Sequence, residues 1–347
     1  MQSTSHHTTD TEELGKRLGE RVHLRPHWSK TILLTGELGS GKTTFTRGFA
    51  ESLGISEPIA SPTYALVAEY AVPQHENAIT KFVHVDLYRS DTGSALSAAE
   101  IGELIADPSA IVVIEWPERL PPEYLPQHHI AVDIAPVGEH ERSINIEFHD
   151  HGVPSETEID DLHTEFAVPK HVGQHIATVT RVADYFAMQL VKQGVPLNTE
   201  LVHAGARLHD FVRVCNFKSF DPQCFFETLT PHKLGIWKKL VTTFQGKHHA
   251  DAGAYILDKR GYPAAADLVR YHHTAAAETE LTLEEKCVLL GDRHVLHDTI
   301  VSLEERLGDA GQRNHHNRNP RYEAMKARLR EMDAEIRALG KITALPQ

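Results

Sequence analysis

Gly36-Glu37-Leu38-Gly39-Ser40-Gly41-Lys42-Thr43-Thr44 follows the apolar run Thr31 to Leu34 and opens a helical pattern from Thr43 to Leu53. A strand, a glycine-rich turn and a helix in that order are the context a Walker A loop requires. The backbone amides of such a turn face phosphates at a helix N-terminus, where the peptide dipoles favour anions. On this reading Lys42 reaches the β- and γ-phosphates, Thr43 holds Mg²⁺, and the expected ligand is a nucleotide with Mg²⁺.

Outward from this loop, short β-branched runs alternate with helical stretches: Lys30 to Leu34, Thr43 to Leu53, Phe82 to Val85, Ala98 to Ala106 and Ala110 to Ile114. That alternation predicts an α/β domain over residues 1–150 with a mainly parallel sheet. His129 to Ile134 and Ser143 to Phe148 read as closing antiparallel strands at an edge. Two acidic residues, Asp86 and Glu115, end apolar strands. In an open parallel sheet both would stand at carboxyl ends beside the phosphate loop, one completing the Mg²⁺ shell and the other orienting or deprotonating the attacking water.

Residues 151–167 turn acidic and lose periodicity, and are expected as a linker. Beyond them strand signals nearly vanish. Ile176, Val179, Val182, Ala183 and Phe186, then Leu201, Ala204, Leu208 and Phe211, recur at helical spacing, which predicts an all-α domain over 168–310. A charged segment leads into a last helix, Tyr322 to Leu339 within 311–347, whose Met325, Leu329, Met332, Ile336 and Leu339 form a stripe suited to packing or to a homo-oligomer contact.

The formal charge of −13 argues against gripping nucleic acid by phosphate neutralisation. No run of eighteen apolar residues exists, and Met1 to Asp10 lacks the pattern of a secretory signal, so no membrane association is expected. Cys215, Cys224 and Cys287 form no CxxC pair, which fits a reducing cytoplasm.

The helical half offers His175, the pair His209-Asp210, His249, His272-His273 and Asp292, each on or at the end of a different expected helix. Imidazoles mixed with carboxylates suit a borderline divalent ion, which would acidify a bound water and polarise a phosphoryl oxygen.

Residues 30–148 resemble the TsaE family of ATPases in tRNA threonylcarbamoyladenosine synthesis, through the phosphate loop, Ser61-Pro62-Thr63-Tyr64, Asp86-Leu87-Tyr88-Arg89 and Ile114-Glu115-Trp116-Pro117. The resemblance implies that Asp86 is the metal-linked aspartate, that Glu115 is the essential acid, and that the segment holding Thr63 is a nucleotide-sensing switch. It also implies ATP with Mg²⁺ as the cofactor, the ion held by Thr43 and Asp86, and ATP hydrolysis that resets a complex of other threonylcarbamoylation proteins, with tRNA met only indirectly. Residues 168–308 resemble the HD superfamily of metal-dependent phosphohydrolases, with His175, His209, Asp210 and Asp292 matching its pattern and Asp210 central to catalysis. His249 with His272 or His273 would take a second metal or a substrate phosphate, and His171, one turn before His175, is an alternative first ligand. Two alternatives stand beside this reading: an inactive, nucleotide-sensing helical module, or a P-loop small-molecule kinase, which Trp116 to Gln127 disfavours because it reads as Pro-rich and not as a helical lid.

Overall fold

The computed structural model describes residues 1–346 except 23–24, 26–27, 63–64, 74–78, 90–97, 150–151, 221–226 and 315–319. Residues 1–151 with 194–197 form one compact unit, and 152–193 with 198–347 the other.

In the first unit the order is β1 (Gln2–Ser5), α1 (Thr8–Val22), β2 (Thr31–Thr35), α2 (Lys42–Ser52), β3 (Val67–Ala71), β4 (Lys81–Asp86), α3 (Ala98–Ala106), β5 (Ala110–Glu115), β6 (His129–Pro136) and β7 (Arg142–His149). They build one seven-stranded sheet in the order β1-β7-β6-β2-β5-β4-β3. β4, β5, β2 and β6 run parallel to one another, while β3 and β7 run against their neighbours. The expected antiparallel edge is thus corrected. β6 lies inside the sheet, parallel to β2, only β7 is antiparallel to it, and β1 forms the edge beyond. The central strands are apolar on both faces, as strands covered on both sides must be. Ile32, Leu34, Ile111 and Val113 meet α1 and α2 residues such as Leu18 and Phe49 on one face, and Leu33, Val112 and Ile114 meet Ile101 and Leu120 on the other.

α1 packs unusually close to α2 because glycines face the contact. A Cβ on Gly48 would stand 1.8 Å from Glu12 O, and one on Gly15 would stand 2.1 Å from Phe45 O. The neighbours are backbone and cannot swing aside. Gly48→Ala is expected to destabilise this unit by about 1–3 kcal/mol, the usual cost of overpacking, visible as a lower unfolding midpoint of the full chain. An unchanged midpoint would show that the two helices can part freely.

The second unit is largely helical: α4 (Glu156–Glu165), α5 (Lys170–Lys192), α6 (Thr199–Leu208), α7 (Pro231–Thr243), α8 (His249–Lys259), α9 (Pro263–Tyr271), α10 (Leu283–Arg293), α11 (Leu303–Asn314) and α12 (Pro320–Gly340). It is not wholly α, since β8 (Val295–Leu296) and β9 (Thr299–Ile300) form a small hairpin after α10. The acidic stretch expected as a linker carries α4 instead. Ser155 and Glu158 make a reciprocal capping box, Ile159 and Leu162 are buried, and Glu156 and Asp160 pair with Arg207 of α6. Its acids face solvent, which is why composition alone reads as a tether. α12 buries Leu329, Met332 and Ile336.

Candidate functional sites

The loop after β2 carries three glycines at positive φ: Gly36 (137°), Gly39 (77°) and Gly41 (113°). A Cβ on Gly36 would also lie 2.3 Å from Ile134 O, so only glycine fits where this loop leaves the sheet. Lys42 Nζ donates to Gly36 O at 2.7 Å and to Glu37 O at 3.0 Å, which folds the loop around its own lysine. Burial lowers the Lys42 pKa, against the opposing pull of Glu115 and Asp86. Gly39, Gly41 and Thr44 line a cavity of about 270 Å³ together with Thr11 and Arg142, and Arg142 Nε donates to Ser40 O at 3.0 Å. The exposed Leu38 side chain stands at the loop's tip.

β4 and β5 place Asp86 and Glu115 opposite each other in register, both buried at the strands' carboxyl ends. Thr43 Oγ1 donates to Glu115 Oε1 at 3.0 Å. Asp86 accepts from Tyr88 N at 3.0 Å and from the Ser61 hydroxyl. Thr63 and Tyr64 lie outside the described residues, so the expected switch is seen only through Ser61. Sequence reading missed His84, which is fully buried in β4 with Nε2 2.9 Å from Glu115 Oε1. The period-2 pattern of an apolar strand hides one imidazole that faces a carboxylate. Trp116, quoted above only as part of a motif and with no role, adopts φ 62° directly after Glu115 and sets its ring 4.0 Å from Lys42 Nζ. Thr43, Asp86 and Glu115 together offer the hydroxyl and carboxylate oxygens that Mg²⁺ prefers beside a phosphate loop.

In the second unit five helices bring ligand-type side chains to one place. His175 comes from α5, His209 and Asp210 from the end of α6, His249 from the start of α8, His272 from the end of α9 and Asp292 from the last turn of α10. Two groups form, His175 with His209 and Asp292, and Asp210 with His249 and His272, the offered atoms of each lying within 4.8 Å of one another. Asp210 stands between them: Oδ2 is 3.9 Å from His175 Nε2 and 3.8 Å from His209 Nε2, while Oδ1 is 2.8 Å from His249 Nε2 and 3.6 Å from His272 Nε2. His273 is not in either group, its ring lying against that of His248. His171 is likewise outside them and stacks near Phe217.

The tautomers decide what this cluster accepts. His175 Nδ1 faces His297 O at 2.6 Å, His209 Nδ1 faces Ala206 O at 2.7 Å, His272 Nδ1 faces Val269 O at 2.6 Å, and His249 Nδ1 faces Asn216 Oδ1 at 2.8 Å. Each Nδ1 therefore carries the hydrogen and donates it, and each Nε2 presents a lone pair to the centre. Burial pushes His209 down to about 4 and His249 down to about 3, the latter against the pull of Asp210, so both are neutral. Burial would raise the Asp210 pKa, but Arg213, His249 and His209 together outweigh it and hold the carboxyl well below the usual range. Asp292 is likewise held low, with Arg293 first against burial. Lone pairs thus face carboxylates, an arrangement that only a cation reconciles. A proton does so at His175, which burial alone would lower but Asp292 raises. His209 Nε2 and Asp210 Oδ1 are both buried with no hydrogen-bond partner, although Oδ1 lies 2.8 Å from His249 Nε2. These are donor atoms that fit a divalent ion. A cavity of about 410 Å³ opens beside them, lined by Gln174, His175, Asp210, Arg213, Phe217 and Arg306.

Sequence reading did not single out Arg213, Asn216 or the His297 carbonyl that sustain this geometry. For Arg213 the spacing from Asp210 was the available signal, since residues three apart share a helical face. The hairpin that delivers His297 O has no such signal.

Two families match the chain. Residues 5–144 match the family described as threonylcarbamoyl adenosine biosynthesis protein TsaE, and residues 172–295 match the HD domain. A Nostoc sp. protein named tRNA threonylcarbamoyladenosine biosynthesis protein TsaE is 43% identical over 124 residues, 35% of this chain and 70% of that protein. A Mycobacterium tuberculosis protein of the same name is 38% identical over 127 residues, 35% of this chain and 71% of its own length. A crystal structure of YdiB from Bacillus subtilis aligns with 26% identity and a TM-score of 0.33, covering 43% of this chain and 85% of that one. Among the described residues no helix is long and apolar enough to cross a membrane. The chain belongs to the TsaE family through residues 5–144 and carries an HD domain over residues 172–295.

Proposed function

We propose that residues 1–150 bind ATP with Mg²⁺ and hydrolyse it in service of tRNA threonylcarbamoyladenosine formation, and that the helical unit is a metal-dependent phosphohydrolase. The observation that carries the first half is Glu115, held between Thr43 Oγ1 and His84 Nε2 at the rim of the phosphate loop. There Lys42 and the loop amides hold the phosphates, Thr43 and Asp86 supply oxygens to Mg²⁺, and Glu115 orients the water and takes its proton. Ser61, bonded to Asp86, links that carboxylate to the segment containing Thr63. Such a device is a switch, useful only if nucleotide state is read by other proteins of the threonylcarbamoylation complex. The chain's acidity favours contact with tRNA through those proteins and not directly. A cytoplasmic setting goes with that role.

The observation that carries the second half is four imidazoles with Nδ1 pinned to oxygen acceptors and Nε2 turned toward Asp210 and Asp292. His175, His209, Asp210 and Asp292 would hold one divalent metal, and His249 and His272 with Asp210 a second. A bound metal would acidify a coordinated water and polarise a phosphoryl oxygen. Arg213 and Arg306, which line the cavity, would bind the ester's negative charge.

The test uses the purified full chain. Slow phosphate release from ATP that accelerates with the other threonylcarbamoylation proteins is expected, together with divalent metal retained through dialysis and hydrolysis of a phosphoester. Failure to bind ATP would sink the first half. A metal-free chain, inert on nucleotides and phosphoesters, would sink the second and favour a helical regulatory module.

A further inference from the structure

The second group of ligand-type residues already has a cation beside it. Arg213 lies three residues after Asp210, its backbone N donating to Asp210 O at 2.8 Å. Its Nη1 is 2.8 Å from His249 Nε2 and 3.1 Å from His249 Nδ1, so it lies against the ring, and it is 3.7 Å from Asp210 Oδ1. Because Asn216 Oδ1 takes the Nδ1 hydrogen of His249, the Nε2 lone pair is left for a ligand, with the positive charge of the guanidinium against the ring beside it. The first group differs. Arg293 pairs with Asp292 through Oδ2, while Oδ1 faces His175 Nε2 at 3.1 Å.

A guanidinium stays protonated at any physiological pH and cannot make room for a dication by losing its charge. It can only move. The Arg213 side chain is 44% exposed, whereas the Asp210 and His249 side chains are 9% and 1% exposed. The mobile partner is therefore the arginine, and the fixed partners are the ligands. The cavity it borders also contains Arg306, so a displaced guanidinium would join a basic wall suited to an anionic phosphate ester.

We propose that Arg213 sets the metal count of this site: its guanidinium competes with a second divalent ion for Asp210 Oδ1, His249 Nε2 and His272 Nε2. One metal then binds tightly on His175, His209, Asp210 and Asp292, and a second enters only as Arg213 swings away. A phosphate that draws Arg213 toward itself strengthens the second metal, and by reciprocity the second metal strengthens phosphate binding. The inference rests on the metal-site reading above.

The experiment titrates the metal-stripped full chain with Mn²⁺, followed by calorimetry and by the spin-coupled electron paramagnetic resonance signal of paired Mn²⁺. The wild type should take one equivalent tightly and a second at least tenfold more weakly. Arg213→Ala, and Arg213→Met, which keeps the stem, should tighten the second step at least tenfold and leave the first unchanged. Inorganic phosphate should tighten the second step in the wild type and not in either variant. A second step that is the same in all three proteins would overturn the role of Arg213 while leaving the metal site standing. No Mn²⁺ binding by any of the three would overturn the metal-site reading and this inference together.

Discussion

Glu115→Gln should leave ATP bound and slow its hydrolysis by about 10²–10⁴-fold, the range for loss of a general base. The substitution preserves shape, so Gln can still accept from Thr43 Oγ1, which lies 3.0 Å from the native Oε1. What it removes is the basic oxygen that would take a proton from water. Binding should persist because Lys42 keeps its contacts with Gly36 O and Glu37 O and the glycine turn is untouched. The check pairs affinity for a fluorescent ATP analogue with single-turnover phosphate release. Unchanged hydrolysis would transfer the base role elsewhere, and lost binding would make Glu115 a scaffold residue for the loop.

Asp210→Asn should weaken metal binding by more than about 100-fold, since even groups that only support a ligand cost 10–100-fold when removed. Asp210 faces both ligand groups, Oδ2 toward His175 and His209 and Oδ1 toward His249 and His272. An amide nitrogen in either place would turn a donor toward the binding centre. Metal content after dialysis is the direct measurement, with phosphoester hydrolysis as the second. Unfolding midpoints taken in a chelator separate this from folding. A variant that unfolds early even without metal would show that Asp210 is chiefly the counter-charge of Arg213, and one that keeps its metal would remove Asp210 from the ligand set.

The parts of both sites that were legible in the sequence share one property, that their local context repeats their chemistry. Gly36, Gly39 and Gly41 stand between an apolar strand and a helix, and the structure gives all three positive φ. Asp86 and Glu115 end runs that can only be buried strands, and the register puts them side by side. The histidines and aspartates of the helical unit announced themselves by order along the chain, each at a helix or helix end.

Other features were hidden for physical reasons. α1 is polar along much of its length and reaches α2 through Gly15 and Gly48, so apolar periodicity understates a tight contact. α4 buries only Ile159 and Leu162, and its acids are matched by Arg207, far away in sequence. His84 sits where an apolar strand residue is expected. The choice of His272 over His273 depends on which ring the end of α9 turns toward Asp210, since adjacent residues on a helix point about 100° apart.

By itself, then, the sequence determined the two fold classes, the phosphate loop and the roster of ligand-type residues, because strand and helix periods and the steric demands of glycine are local. Only the tertiary structure decided that Glu115 meets Thr43 and His84, that Asp210 stands between two imidazole groups, and that Arg213 reaches one of them. Those facts depend on distances between residues remote in sequence, which are set by how sheets and helices pack and by which backbone oxygens hold each imidazole in place.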